Sequence, residues 1–263
     1  MPELPEAQTI SLMLNSQLKG KIIKKVELVN PKQFIGSPSK IIGKKITKVE
    51  RLGKQIVLYL DHKPTLLIHL KMTGQLIFQN TPEKDKHTRI IFVLNKGMLA
   101  FKDIRKFGWI KIINNYILKN EKELLGPDAL SSILSSNYLL KKTVKSARPI
   151  KAILLDQKIV SGIGNIYANE ALFLAKIIPQ KLGKDLTKKE IKRLVESIKT
   201  ILRTAVKHGG TSSRNYIKPD KTSGSYQNIA KVYQKKNCPS CHRLLIKEKV
   251  GGRSSFFCPN CQG

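Results

Sequence analysis

Two Cys-x-x-Cys pairs near the C-terminal end constrain this chain more than any other feature. They are Cys238-Pro-Ser-Cys241 and Cys258-Pro-Asn-Cys261, they are sixteen residues apart, and they contain every cysteine of the chain. Because four thiolates at this spacing can form a tetrahedron, the pattern predicts one structural zinc ion, Zn(2+), bound by all four. Four sulfur ligands leave no open position on the metal, so we expect this zinc to take no part in catalysis.

The segment between the two pairs, HRLLIKEKVGGRSSFF, has the pattern of two strands joined by a turn at Gly251-Gly252. A hairpin this short cannot bury a core, so metal binding is expected to supply its folding free energy. Arg253 follows the turn, where it could be an ordinary solvated arginine or a phosphate contact, and the residues alone leave both readings open. We expect His242 to be a surface residue and not a fifth ligand.

Charge points to a polyanionic partner. The chain has 49 Lys and Arg against 18 Asp and Glu, a formal net charge of +31 spread along its length. This favours nucleic acid over an anionic membrane surface, although a general drift toward lysine could contribute to the excess. Charge does not distinguish DNA from RNA, ribosomal RNA included. The sequence contains no apolar run long enough to cross a bilayer and no signal-peptide pattern, so we expect a cytoplasmic protein without a membrane partner.

Hydrophobic patterning divides the rest of the chain into a strand-rich part and a helical part. Residues 5–19 predict a helix that ends at Gly20, and residues 21–114 predict short strands typical of a sandwich or barrel. The strand segments are KIIKKVELV, KITKVERL, QIVLYL, TLLIHL, TRIIFVL and WIKII. Residues 136–209 are helical in pattern, and their clearest helix begins at a capping box formed by Thr187 and Glu190.

The first residues, Met-Pro-Glu-Leu-Pro-Glu, allow two interpretations. Removal of Met1 would expose the secondary amine of Pro2, which could attack a sugar C1′ atom and form an iminium, with Glu3 and Glu6 as acid and base. The alternative is an ordinary helix start, in which the acidic residues interact with the helix dipole. The physical argument alone favours the helix start.

Six segments, in order along the chain, resemble the formamidopyrimidine-DNA glycosylase family of bacterial 8-oxoguanine DNA glycosylases with AP lyase activity. They are MPELPE at 1–6, RLGK at 51–54, HLKMTG at 69–74, DIRKFG at 103–108, LDQKIVSGIGNIYANEALF at 155–173 and GGRSSFFCPNCQ at 251–262. Such a resemblance over nearly the whole chain implies the family's fold and activity, and it favours Pro2 as a nucleophile.

The resemblance implies an α+β fold with four parts. They are a catalytic β-sandwich domain with an N-terminal helix at 1–118, a linker at 119–135, a helix-two-turn-helix domain at 136–228 that includes a lesion loop at 209–228, and a zinc-finger β-hairpin at 229–263. It also implies a monomer that acts at the bacterial nucleoid. This monomer would excise oxidised purines (8-oxoguanine and formamidopyrimidines) from double-stranded DNA and cleave the abasic strand by β,δ-elimination.

Individual roles follow from the matched positions. The resemblance gives Pro2 as nucleophile, Glu3 as acid, Glu6 as a residue that orders the site, and Lys54 as a phosphate-binding lysine of the catalytic group. It gives Met72, Arg105 and Phe107 as the side chains that fill the gap left by an extruded base. It further implies backbone contacts from His69, Lys151, Asn165 and Arg253, and lesion-loop roles for Tyr216 and Ser223.

Two departures from the family pattern bear on this interpretation. Ala7-Gln8 replaces the commoner Val-Glu, and Ile104, directly before Arg105, stands where many members have proline. An endonuclease VIII-like glycosylase for oxidised pyrimidines is the closest alternative, and Leu4 and the long 209–228 loop argue against it. A non-catalytic zinc-finger protein that binds nucleic acid is a third interpretation, but it would have no use for a processed Pro2.

Overall fold

The computed structural model describes residues 1–62, 64–81, 84–212 and 215–263. The chain divides into two compact units. The first contains Met1–Glu123 and His208–Gln227, and the second contains Leu124–Lys207 and Asn228–Gly263.

The first unit combines one long N-terminal helix with two β-sheets. Helix α1 spans Leu4–Leu18, and the strands are β1 Ile23–Leu28, β2 Phe34–Ile35, β3 Ile46–Leu52, β4 Gln55–Leu60, β5 Thr65–His69, β6 Gly74–Gln79, β7 Thr88–Leu94, β8 Met98–Asp103 and β9 Trp109–Ile113. Within the described residues, one sheet has the order β1-β7-β8-β6 and the other the order β2-β9-β5-β4-β3. Pairing is antiparallel except between β2 and β9.

A single apolar cluster fills the space between α1 and the two sheets. It includes Leu14 of α1, Ile68 of β5, Phe92 of β7 and Phe101 of β8, each at most 1% exposed. Alternating strand residues from both sheets supply this core, as expected of a sandwich. The α+β fold class with an N-terminal β-sandwich is therefore confirmed.

Four helices or strands of the first unit were not predicted from the sequence: β2, β6, β8 and α2. Strands β6 and β8 form one edge and an interior position of the four-stranded sheet, and neither was identified in advance. A helix, α2 Asn115–Glu123, also extends into the 119–135 segment that the sequence assigns to a linker. Every residue of α2 is described and Leu118 alone is buried, so the helix carries little of the apolar periodicity by which a helix is recognised.

The second unit is helical and ends in a hairpin. Its helices are α3 Ser136–Thr143, α4 Ile150–Leu155, α5 Asn165–Leu174 and α6 Lys188–Lys207, and its hairpin strands are β10 Ile246–Val250 and β11 Arg253–Phe257. The predicted capping box precedes α6, where the Glu190 N–H donates to Thr187 Oγ1 and the Thr187 N–H donates to Glu190 Oε2. The hairpin turn lies at Gly251-Gly252, as the sequence indicates, and both glycines have a positive φ.

Residues 209–212 and 215–227 lie with the first unit, whereas the sequence groups 209–228 with the helical domain. The reason is a set of long-range contacts. The Phe78 N–H on β6 donates to Pro219 O, and Tyr216 is part of the sandwich core. Among the described residues, no helix is long and apolar enough to cross a membrane.

Candidate functional site

The start of α1 places three of the expected catalytic residues next to one another. Pro2 and Glu3 are buried, whereas Met1, which precedes them, is 47% exposed. Glu3 is the N-cap of α1 and Glu6 lies in its first turn. The Glu3 N–H donates to Glu6 Oε2 over 2.7 Å, which fixes the backbone that follows Pro2.

Glu6 also holds the first residues of the 209–228 segment. Its carboxylate is 2% exposed, and Oε1 accepts a 2.7 Å hydrogen bond from the Thr211 N–H. Gly210 makes this approach possible, because it has a φ of +82° and a Cβ at this position would lie 2.7 Å from Glu6 Oε1. One buried carboxylate therefore joins the N-terminus to this segment.

The two residues with expected lesion-loop roles, Tyr216 and Ser223, differ in burial. Tyr216 is 8% exposed, its ring lies in the sandwich core, and its hydroxyl donates to Gly209 O. Burial raises the pKa of Tyr216 well above its ordinary value. Tyr216 thus anchors the segment internally, whereas Ser223 is exposed.

His69 and Lys54 form a half-buried basic pair. The Lys71 N–H donates to His69 Nδ1, so the neutral ring carries its proton on Nε2 and can donate from there. Burial, together with the charges of Lys71 and Lys54, lowers the pKa of His69 to about 4. The ring is therefore neutral near pH 7 and can donate to an anion without being charged itself.

The three expected void-filling side chains lie on two connections between the sheets. Met72 is 42% exposed and Phe107 is 55% exposed, so both apolar side chains are accessible to a partner. The Arg105 guanidinium stacks 4.8 Å from the centre of the Phe107 ring. Ile104, the departure from the family pattern, is 45% exposed beside them.

In the second unit, the turn before α5 and the hairpin bring two of the expected phosphate contacts together. Gly164 is the N-cap of α5 and Asn165 is its first residue. Asn165 Nδ2 donates to Ser254 O over 3.0 Å, and Ser254 follows the exposed Arg253. A helix N-terminus beside an exposed arginine is suited to bind a phosphate.

Lys151, for which the resemblance implies a contact with DNA, is buried. Its side chain is 0% exposed, and Nζ donates to Asn169 Oδ1, Ser254 O and Ser255 Oγ. These three acceptors compensate for the loss of water around the ammonium, which is why the charge can be buried. Lys151 therefore fastens α4 to the hairpin strand, and this placement does not support a direct contact with DNA.

Two further buried polar residues of this unit were not singled out from the sequence. Asn169 Oδ1 also accepts the Phe256 N–H, and Glu170, at 1% exposure, accepts the N–H groups of Lys231, Val232 and Tyr233. Both residues lie inside the matched 155–173 segment. A polar pair in the middle of an otherwise apolar helix was the available signal, because such residues need buried partners.

The four cysteines converge at the base of the hairpin. Their Sγ atoms all lie within 4.8 Å of one another, with 3.8 Å between Cys238 and Cys261 and 3.4 Å between Cys241 and Cys258. Zn–S bonds of about 2.3 Å in a tetrahedron require S···S separations of about 3.8 Å, so the cluster fits this metal. The predicted structural zinc site is confirmed.

A nucleic-acid enzyme with a zinc finger is the class that this arrangement indicates, and family models agree with it. The chain matches the formamidopyrimidine-DNA glycosylase N-terminal domain over residues 1–110. It matches the formamidopyrimidine-DNA glycosylase H2TH domain over residues 125–216 and the zinc finger found in FPG and IleRS over residues 235–263.

Full-length relatives indicate the same family. Formamidopyrimidine-DNA glycosylases of Carboxydothermus hydrogenoformans and Desulforamulus reducens are each 40% identical, over 100% of this chain and 100% and 99% of theirs. The crystal structure of a Lactococcus lactis FPG mutant in complex with a Fapy-dG-containing DNA superimposes with a TM-score of 0.93 at 33% identity, covering 99% of both chains. This chain belongs to the formamidopyrimidine-DNA glycosylase family, as its motifs predicted.

Proposed function

We propose that this protein excises oxidised purines, including 8-oxoguanine and formamidopyrimidines, from duplex DNA and then cleaves the abasic strand. The observation that carries the proposal is the start of α1, where Pro2 and two carboxylates are held in a buried, hydrogen-bonded arrangement. Relatives from Lactococcus lactis were crystallised with Fapy-dG-containing and abasic-site-containing DNA. A monomer suffices, because one chain supplies all the groups used.

In this mechanism the Pro2 amine, freed of Met1, attacks C1′ of the damaged nucleotide. The C1′–N bond breaks, the base leaves with a proton, and Glu3 protonates the ring oxygen as the sugar opens. The product is an iminium that withdraws electrons from C2′. Loss of a C2′ proton then expels the 3′ phosphate, and a second elimination expels the 5′ phosphate. Glu6 keeps Glu3 in place by accepting its N–H.

DNA contacts are assigned to exposed or half-buried groups. Lys54 and the Nε2–H of His69 bind phosphates in the first unit, and Asn165 and Arg253 bind them in the second. Met72, Arg105 and Phe107 replace the extruded nucleotide in the stack. Such a protein would reside at the bacterial nucleoid, where its substrate is. Zinc holds the hairpin that carries Arg253 and supplies no reactive group.

Borohydride trapping on a duplex with 8-oxoguanine opposite cytosine tests the proposal. We expect a strong covalent adduct with the mature wild-type protein and much less with Pro2→Gly, whose terminal primary amine is a poorer replacement for the proline ring nitrogen. Pro5→Gly, three residues further along, should form the adduct as wild type does. Tight binding without an adduct would mean that the protein binds DNA but does not form the proposed covalent intermediate. A Lactococcus lactis relative was solved in complex with an oxidised-pyrimidine-containing DNA. An adduct that forms only on oxidised pyrimidines would favour endonuclease VIII-like specificity for this protein.

A further inference from the structure

Two connections of the first unit run side by side between the two sheets. One, residues 70–73, joins β5 to β6, and the other, residues 104–108, joins β8 to β9. Their ends are paired on both sides, because His69 is opposite Trp109 and Gly74 is opposite Asp103. The side chains of Met72 and Phe107 are therefore carried by neighbouring loops with common supports.

A buried carboxylate lies between these two loops. Asp103 is 1% exposed, and four donors among the described residues reach its oxygens. Oδ1 accepts from the Thr73 hydroxyl and the Arg105 N–H, and Oδ2 accepts from Gln33 Nε2 and the Gly108 N–H. The N–H groups of Arg105 and Gly108 belong to one loop and the Thr73 hydroxyl to the other, so a single carboxylate binds both.

Thr73 and Gln33 close the network on either side of Asp103. Thr73 Oγ1 accepts the Arg105 N–H as well as donating to Asp103, which ties the residue after Met72 directly to the second loop. Gln33 Nε2 bridges Asp103 Oδ2 and Gly108 O over 3.1 Å and 2.7 Å. Thr73 and Gln33 are 5% and 3% exposed, so water does not substitute for these bonds.

The backbone of both loops is held in an uncommon conformation. Lys71 has a φ of +50° and Lys106 a φ of +59°, a region that residues with a side chain rarely adopt. Each directly precedes a void-filling residue, Met72 and Phe107 respectively. Such a backbone persists only where its surroundings hold it. Asp103 accepts N–H groups on both sides of Lys106, and the Lys71 N–H is held by His69 Nδ1 while the nearby Thr73 is held by Asp103.

We propose that Asp103, acting with Thr73 and Gln33, is the positioning residue that locks the two loops together, so that Met72, Arg105 and Phe107 enter the duplex as one preformed unit. The inference rests on the proposed function, since it assumes that these three side chains fill the gap. Its consequence concerns selectivity. Arg105 can discriminate the base opposite the lesion only if its backbone is fixed, and this fixing is what the network provides.

The test compares Thr73→Val, which removes the bridging hydroxyl, with Thr73→Ser, which keeps it. Thr143→Val is the matched control, because it removes a fully buried hydroxyl that bonds within α3 of the second unit. Single-turnover excision is measured for 8-oxoguanine opposite cytosine and opposite adenine, together with thermal unfolding of each variant.

We expect Thr73→Val to slow excision opposite cytosine about tenfold, a loss of about 1.4 kcal/mol of transition-state stabilisation, and excision opposite adenine much less. Thr73→Ser should restore the selectivity for cytosine, and Thr143→Val should lower stability without changing selectivity. Asp103→Asn should reproduce the Thr73→Val result more strongly, because an amide nitrogen would face N–H donors.

Phe107→Ala separates failure of this inference from failure of the proposed function. A wild-type protein that excises nothing would refute the proposed function itself. If wild type excises, Phe107→Ala is slow, and Thr73→Val keeps the wild-type ratio between the two opposite bases, then Asp103 and its partners do not position the loops. If Thr73→Val and Thr73→Ser slow excision equally opposite both bases, the network contributes to the stability of the fold and not to the position of the loops.

Discussion

Both units bury charged side chains beneath the residues that are assigned to DNA, but they do so for different reasons. In the first unit, the carboxylates of Glu6 and Asp103 accept hydrogen bonds that fix loops on a sandwich with its own large core. In the second unit, Lys151 and the four cysteines hold a hairpin that has little core of its own. The buried carboxylates of the first unit therefore fix the conformation of loops, whereas the buried lysine and the cysteines of the second unit hold the whole hairpin in place.

Zinc removal should produce the largest difference in behaviour between the two units. Chelation is expected to unfold the hairpin and reduce DNA affinity by about 100-fold. The unfolded hairpin no longer positions Arg253, and Asn165 loses its hydrogen-bond partner Ser254 O. Hydrogen–deuterium exchange should then rise across residues 238–262 and stay slow in β4 and β5. Zinc addition should restore both properties. Unchanged exchange in the hairpin would mean that polar contacts alone hold it.

Lys151→Met tests the polar half of the hairpin's attachment. It leaves Ser254 O and Ser255 Oγ without their shared buried donor, so we expect the second unit to lose about 3 kcal/mol of stability. Lys158→Met, at an exposed position of the same unit, should change stability by less than about 0.5 kcal/mol. Equal behaviour of the two variants in denaturant titrations would show that the burial of Lys151 is not energetically important.

Two glycines allow a matched comparison between the units. Gly210 and Gly252 both have a positive φ, but a Cβ on Gly210 would meet Glu6, whereas one on Gly252 would meet nothing within 4 Å. Gly210→Ala should lower the free energy of unfolding by about 2 kcal/mol or more and impair excision. Gly252→Ala should lower it by about 1 kcal/mol, because only the cost of a positive φ for alanine applies there. Similar melting and activity losses for the two variants would argue against a tight Glu6 contact.

The smallest expected effect is a pH dependence from His69. Its folded-state pKa is lowered to about 4, chiefly by burial, so between pH 6.5 and 4 the unfolded chain takes up a proton that the folded chain does not. Stability contributed by the neutral ring is present above this window and is lost as the pH falls through it.

Wild type should therefore lose about 2 kcal/mol more than His69→Gln between pH 7 and pH 5. Denaturant titrations of both proteins at the two pH values measure this difference. Parallel pH profiles for the two proteins would show that His69 is not buried as described.

Local signals in the sequence predicted local features well. Cysteine spacing gave the zinc site, the Thr187–Glu190 pair gave the start of α6, and Gly251-Gly252 gave the hairpin turn. Each depends on residues close together in the chain, where spacing alone sets geometry. The family and the α+β fold were also predicted correctly, because six motifs in order carry much more information than one.

Long-range contacts were what the sequence did not reveal. The resemblance implied a DNA contact for Lys151, whereas its burial is explained by acceptors on α5 and β11 that lie far from it in the sequence. Asp103 stood inside a recognised motif, yet its partner Gln33 is 70 residues away. The expected roles of Pro2, Glu3 and the DNA contacts stay predictions until they are measured.

Mapping of the trapped adduct tests the central claim most directly. The borohydride-reduced complex with 8-oxoguanine-containing DNA is digested, and the modified peptide is sequenced by mass spectrometry. The account predicts that Met1 is absent and that the remnant of the sugar is attached to the nitrogen of Pro2. Attachment to Lys54 or to any other lysine would contradict it.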